Sequence, residues 1–184
     1  MPRLSRLTLI AALAASVGLA AVASASAANV TATATISAGT LTISTSASPS
    51  ISTTLDGTDK TPTYTLPMTV TDATGSGTGW NVTITSTTFT TGAKSLSTSA
   101  STATAVSSSC VVSTTCTNPT NAIAYPLSVP AGGTAPTAVK LFNAAANTGM
   151  GSFTVTPTIQ VSIPANTYAG TYTSTVTVAV VSGP

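Results

Sequence analysis

Histidine and glutamate are absent from the 184-residue chain, and its only acids are Asp56, Asp59 and Asp72. General acid–base catalysis runs mainly on His, Glu and Asp, and transition-metal sites draw on His and Cys. A chain this poor in both predicts no enzymatic activity, no metal site and no cofactor. Charged residues are 4% of the sequence, where an ordinary soluble domain carries roughly a quarter. The five bases are Arg3, Arg6, Lys60, Lys94 and Lys140; without the two N-terminal arginines the balance is 3 − 3 = 0. Phosphate backbones are recognised by basic surfaces, so no nucleic-acid partner is expected. Aromatic residues are also scarce, at 4%, with a single tryptophan, Trp80. What fills the chain instead is hydroxyl: 41 Thr and 25 Ser, about a third of all residues.

The N-terminus has the three parts of a secretory leader. Arg3 and Arg6 supply positive charge, residues 7–22 form an apolar run, and Ala23, Ala25 and Ala27 stand at the spacing a signal peptidase reads. Residues 1–28 are therefore predicted to be a helical signal peptide, cleaved after Ala27 or Ala28. The run is short and alanine-rich for a hydrocarbon core roughly 30 Å thick, which argues against a retained anchor. Residues 180–184 carry no apolar tail and no LPxTG-like sorting signal. The expected mature protein spans 29–184, is secreted, has no membrane span and is held to a surface without a covalent link.

Cys110 and Cys116 are the only cysteines. In an oxidising compartment such a pair is expected to close a local disulfide loop. The spacing is wrong for a CxxC redox pair, and other metal ligands are missing. A loop this short restrains the unfolded chain modestly, by about 2 kcal/mol.

After the leader the apolar period is two nearly everywhere. It alternates over 30–36, 65–71, 80–85, 153–156, 159–163 and 173–180. In 80–85, Trp80, Val82 and Ile84 fall on one face, and Asn81, Thr83 and Thr85 on the other. Such β-branched alternation, punctuated by Pro and Gly, predicts a single all-β domain over 29–184, an antiparallel β-sandwich. Only residues 139–146 could form a turn or two of helix. The Ser/Thr/Ala-rich stretch 95–109 reads as a loop or insert running to the disulfide at 116. Pro67 and Pro157 each delete a ladder donor and belong at edges or bulges.

Few side chains offer chemistry. Thr91-x-x-Lys94 and Thr137-x-x-Lys140 have the spacing of Ser–Lys acyl enzymes, but neither lies in a helical pattern. Gly75-x-Gly77-x-Gly79 could cradle a phosphate, but a strand follows it rather than a helix N-terminus. Asp56 and Asp59 are too few oxygens for a hard cation and read as a solvated turn. Asn29 and Asn81 match the glycosylation sequon. Trp80 admits two readings, a core residue on the inward phase of its strand or a stacking platform for a sugar or peptide.

Two segments resemble a known family. Residues 70–89, VTDATGSGTGWNVTITSTTF, resemble the first signature of the WxL domain, a surface module of Gram-positive bacteria in which a VTD…GxGW turn leads into W-x-L. Residues 163–184, IPANTYAGTYTSTVTVAVVSGP, resemble that family's C-terminal strand. Val82 takes the place of the first Leu, and Val178-Ala-Val180 stands where the second W-x-L would be. The resemblance implies a non-catalytic module that associates non-covalently with peptidoglycan or with companion surface proteins. It also implies that Trp80 and Val82 carry the surviving binding motif. The AGTYTSTVTV stretch alone is similar to the closing strand of spore coat protein U-like and fimbrial subunits. That likeness implies self-association through edge strands, with the uncharged, alternating segment 29–37 as the donated strand.

Overall fold

The structure, a computed structural model, describes residues 26–184. Residues 1–25, which hold most of the expected leader, lie outside the described residues. Contacts divide the chain into Met1–Thr35 and Ile36–Pro184. In the first unit, residues 26–35 carry no strand and are exposed. The strand expected over 30–36 is therefore not formed, because period-two alternation makes a segment able to pair but a strand persists only against a partner.

The second unit contains twelve strands. They are β1 (Leu41–Ser44), β2 (Thr63–Thr65), β3 (Met68–Asp72), β4 (Trp80–Thr87), β5 (Thr90–Thr91), β6 (Lys94–Ser95), β7 (Ser101–Cys110), β8 (Leu127–Ser128), β9 (Ala131–Gly132), β10 (Val139–Ala144), β11 (Gly151–Val161) and β12 (Val176–Ser182). One sheet has the order β1-β3-β11-β7-β8, with β2 also on β11; the other has the order β10-β4-β12, with β9 on β4. Every pairing is antiparallel except β4 with β9. Val70, Ala103, Phe153, Val155 and Ile159 of the first sheet share one core with Trp80, Val82, Ile84, Leu141 and Phe142 of the second. This is the antiparallel β-sandwich that the alternation predicts. Along β11 the scheme is regular: Phe153, Val155, Pro157, Ile159 and Val161 are buried while Ser152, Thr154, Thr156 and Thr158 face out.

Two further expectations are corrected. Most of the stretch 95–109 is not a loop: β7 pairs with β11 from Ser101 beside Val161 to Cys110 beside Phe153. Its inward positions begin with Ser101 and Ala103, too small to raise a hydropathy signal yet fully buried. Residues 139–144 form strand β10 rather than helix, and a register shift between Lys140 and Phe142 turns both Leu141 and Phe142 into the core. Pro157, expected at an edge or bulge, sits inside β11 next to the register shift between Thr158 and Ile159. It occupies the gap where β11 changes partner, from β3 at Val155 to β2 at Thr158. There its carbonyl accepts from Leu66 N–H at 3.1 Å, and no ladder bond needs the missing donor.

Candidate functional site

The two signature segments are neighbours. β4 and β12 pair along their lengths, from Trp80 beside Ser182 to Ser86 beside Val176. The ribbon continues past both strands: Thr87 N–H donates to Thr175 O at 2.9 Å, and Thr90 and Thr173 exchange both backbone bonds at 3.0 and 2.9 Å. Trp80 marks one end of this ribbon and a cluster of loops the other.

Trp80 is 0% exposed. Its Nε1–H donates to the Gly149 carbonyl at 2.8 Å, and its ring tilts against Phe142 and Phe153 at centroid distances of 5.8 and 6.2 Å. Val82 is equally buried. Of the two readings of Trp80, the structure has the core one, and neither Trp80 nor Val82 presents a surface to a ligand. Val178 and Val180, opposite Ile84 and Val82, keep the inward phase of β12 and pack half-buried against the same core.

At the other end lies a groove of about 630 Å³. Its buried base includes Leu96 and Val161, which form a small apolar cluster with Phe89, Ile163 and Tyr172. Residues 51–55 and 167–172 complete the lining, where the hydroxyls of Ser52, Thr53, Thr54, Thr167 and Thr171 stand among apolar side chains. Tyr168, 63% exposed, is the most exposed of the eight aromatic residues. It also borders a second depression of about 210 Å³ with Lys94 and Asn166, and Lys94 Nζ lies 4.0 Å from its ring centroid. The loop that carries it turns after Pro164 and is held by a bond from Tyr172 OH to Tyr168 O at 3.0 Å. Gly170 lets this loop lie against the β5–β6 hairpin, since a Cβ there would come within 3.1 Å of Thr91 Oγ1. The base is tied as well: Asp59 Oδ1 accepts from Ala165 N–H at 2.8 Å, and Lys60 and Ile163 exchange backbone bonds at 2.9 and 2.8 Å.

Charge near the groove is minimal. Asp56 is held by Lys60 Nζ at 2.6 Å and by the Thr58 hydroxyl at 2.7 Å. The Lys60 ammonium chiefly, and Thr58 next, draw its carboxyl down to about 2. Lys140 donates to the Pro184 carbonyl at 2.7 Å. Lys94, at the rim, has no carboxylate partner among the described residues.

The family described as WxL domain surface cell wall-binding matches residues 20–184. The chain belongs to the WxL domain family. No curated protein and no solved structure matches it. Membership makes this WxL domain a surface protein associated with the cell wall.

The other residues singled out in the WxL domain's sequence are accounted for locally. Cys110 and Cys116 form the expected disulfide, with Cα atoms 6.0 Å apart. Thr91 and Lys94 are paired residues of the β5–β6 hairpin, and Thr137 precedes β10, so neither Thr–Lys pair lies on a helix. The 75–79 loop holds all three glycines at positive φ while the Thr74, Ser76 and Thr78 hydroxyls bond in series at 2.9 and 3.0 Å. Asp56 and Asp59 turn to separate partners. Asn81 is buried, with its side-chain amide donating to Gly183 O at 2.8 Å. Sequence reasoning missed the groove. Its available signal was Tyr168, a rare aromatic set in a Pro/Gly-bounded loop rather than on a strand phase.

Proposed function

We propose that this protein is a non-catalytic wall-binding module whose contact surface is the Tyr168 groove, and that its ligand is the glycan of peptidoglycan. The observation that carries the reading is Tyr168 itself. In a chain so poor in aromatics, an exposed ring at the rim of a largely apolar groove set with Ser and Thr hydroxyls is suited to stack on a sugar face. The Ser and Thr hydroxyls alongside can donate to and accept from sugar hydroxyls, and Lys94 can meet the carboxylates that peptidoglycan carries. In this reading Trp80 and Val82 bind nothing directly; they hold β4 against β12 and so fix the groove at the far end.

The test is co-sedimentation of the secreted chain with purified sacculi, beside Tyr168→Ala, with circular dichroism showing both folded. The parent is expected to pellet, and the variant to bind at least about ten-fold more weakly, a difference of ~1.4 kcal/mol. Equal pelleting of both chains removes the groove from the account. If the parent leaves sacculi untouched but retrieves a protein from wall extract, the partner is a companion surface protein.

A further inference from the structure

The sheet containing β7 has an unfinished side. β8 pairs only with Thr102 and Ala103, so from Thr104 onward β7 has β11 on one flank and, among the described residues, no strand on the other. Residues 105 and 107–109 are exposed. The parity of the ladder shows which backbone groups are idle. Val111 N–H donates to Ser152 O, so alternate residues 105, 107 and 109 bond toward β11, while the N–H and C=O of Val106 and Ser108 point away from it. Natural edges are usually blunted by lysine, proline or a covering loop. Residues 104–109, TAVSSS, contain no charge and no proline. Val106 and Cys110 pack half-buried on the core side of this edge. The opening is bounded by β8 at one end and by the disulfide-closed turn after Cys110 at the other. A strand already embedded in a folded sheet would bring its neighbours into both boundaries, whereas a free segment would not.

The described chain holds one such segment. Residues 30–36, VTATATI, alternate, carry no charge, and have no strand partner. Val30 and Ile36 are 90% and 93% exposed. We propose that copies of this protein join head to tail by strand addition, residues 30–36 of one copy pairing with the open edge of β7 in the next. The Val30, Ala32, Ala34 and Ile36 phase would cover Val106 on the core side. The Thr31, Thr33 and Thr35 phase would extend the hydroxylic outer face begun by Ser107 and Ser109. Because donor and acceptor are different surfaces, the contact is heterologous and builds chains or closed rings, the smallest ring being two copies that exchange segments reciprocally. This inference is independent of what the groove binds.

The experiment is light scattering on size-exclusion fractions of the 29–184 chain, across micromolar to millimolar concentration, for the parent, Thr33→Pro and Val106→Pro. Thr33 lies outside the Ile36–Pro184 unit, so its substitution leaves the sandwich folded while removing the strand. Val106→Pro deletes an idle donor without touching the β11 ladder. The parent is expected to gain mass with concentration, and each variant to associate at least about ten-fold more weakly. A synthetic peptide of residues 29–37 is expected to bind the Thr33→Pro chain and to block assembly of the parent. A parent that stays monomeric throughout, or a Thr33→Pro chain that assembles like the parent, overturns the proposal. If Val106→Pro fails to fold, the Thr33→Pro and peptide measurements decide alone.

Discussion

The indole N–H of Trp80 points at the carbonyl of Gly149, 2.8 Å away, and the Gly149 α-carbon sits so close to the ring that a side chain there would collide with Ala144 and lie 2.7 Å from Trp80 Nε1. Gly149 also holds φ at +71°, a conformation that costs any other residue energy. The pair is thus a single unit in which the tryptophan requires the glycine. Trp80→Phe leaves a buried carbonyl without its donor and is expected to lower unfolding stability by about 1–3 kcal/mol. Trp80→Ala adds a cavity and is expected to lose about 3–5 kcal/mol. Urea midpoints measure both. Below its own midpoint Trp80→Phe is expected to bind sacculi like the parent, the opposite of what a contact residue would do.

Lys94→Gln removes the one cation at the groove rim and its seat over Tyr168. The expected effect is a two- to five-fold weaker association with sacculi at low salt, the size of an exposed charge contact. That gap is expected to close as sodium chloride approaches about 0.5 M, where screening shortens the reach of surface charge. A gap that persists at high salt would mean that Lys94 acts through packing on the ring instead.

Stability against pH is expected to be flat around neutrality, since the chain has no histidine and both cysteines are bonded. It falls at the two extremes for opposite reasons. Asp56 is lowered to about 2 by its bonds from Lys60 and Thr58, so its contribution is present above the ordinary carboxylate range and is lost as pH drops toward 2. Tyr64 is raised to about 12 by burial, and Tyr125 is also raised by burial against a bond from Asn121. Their neutral forms favour the fold below pH 10, and that contribution is lost as pH climbs through the raised values. Urea midpoints from pH 2 to 12 check this, with Asp56→Asn flattening the acid limb and Tyr64→Phe the alkaline one.

Reducing the Cys110–Cys116 bond, or replacing both residues by Ser, is expected to cost about 2 kcal/mol, because the loop it closes is only seven residues long. The fold should survive at room temperature, with the loss seen as a lower denaturation midpoint. A collapse of β7 on reduction would show that the disulfide positions the strand rather than trimming the unfolded ensemble.

The sandwich was legible because β4, β11 and β12 put large β-branched or aromatic residues on one phase and Thr on the other. β7 was not, since Ser101 and Ala103 are buried without being hydrophobic enough to stand out. Residues 30–36 misled in the reverse sense, having a perfect alternation and no partner. β10 was obscured by its bulge, which puts Leu141 and Phe142 side by side in the core and breaks period two. The signature residues Trp80 and Val82 were visible, yet a motif reports what is constrained, and here the constraint is packing. Tyr168 lies within a signature segment but belongs to no periodic pattern, and only folding brings it beside Lys94.

Almost every pairing in the two main sheets joins strands that are not consecutive in the chain; β7 with β8 is the exception. Leu41 meets Asp72, Trp80 meets Ser182, and Phe153 meets Cys110. A topology of such high contact order must close long loops before any ladder rewards them, and all-β domains of this kind fold in milliseconds to seconds or slower. β4, which lines the core along most of its length, obtains its second long neighbour only when β12 is available. The sheet built on β4 is thus closed by the last strand of the chain, so trimming residues 176–182 would leave the strand that carries Trp80 with an open flank.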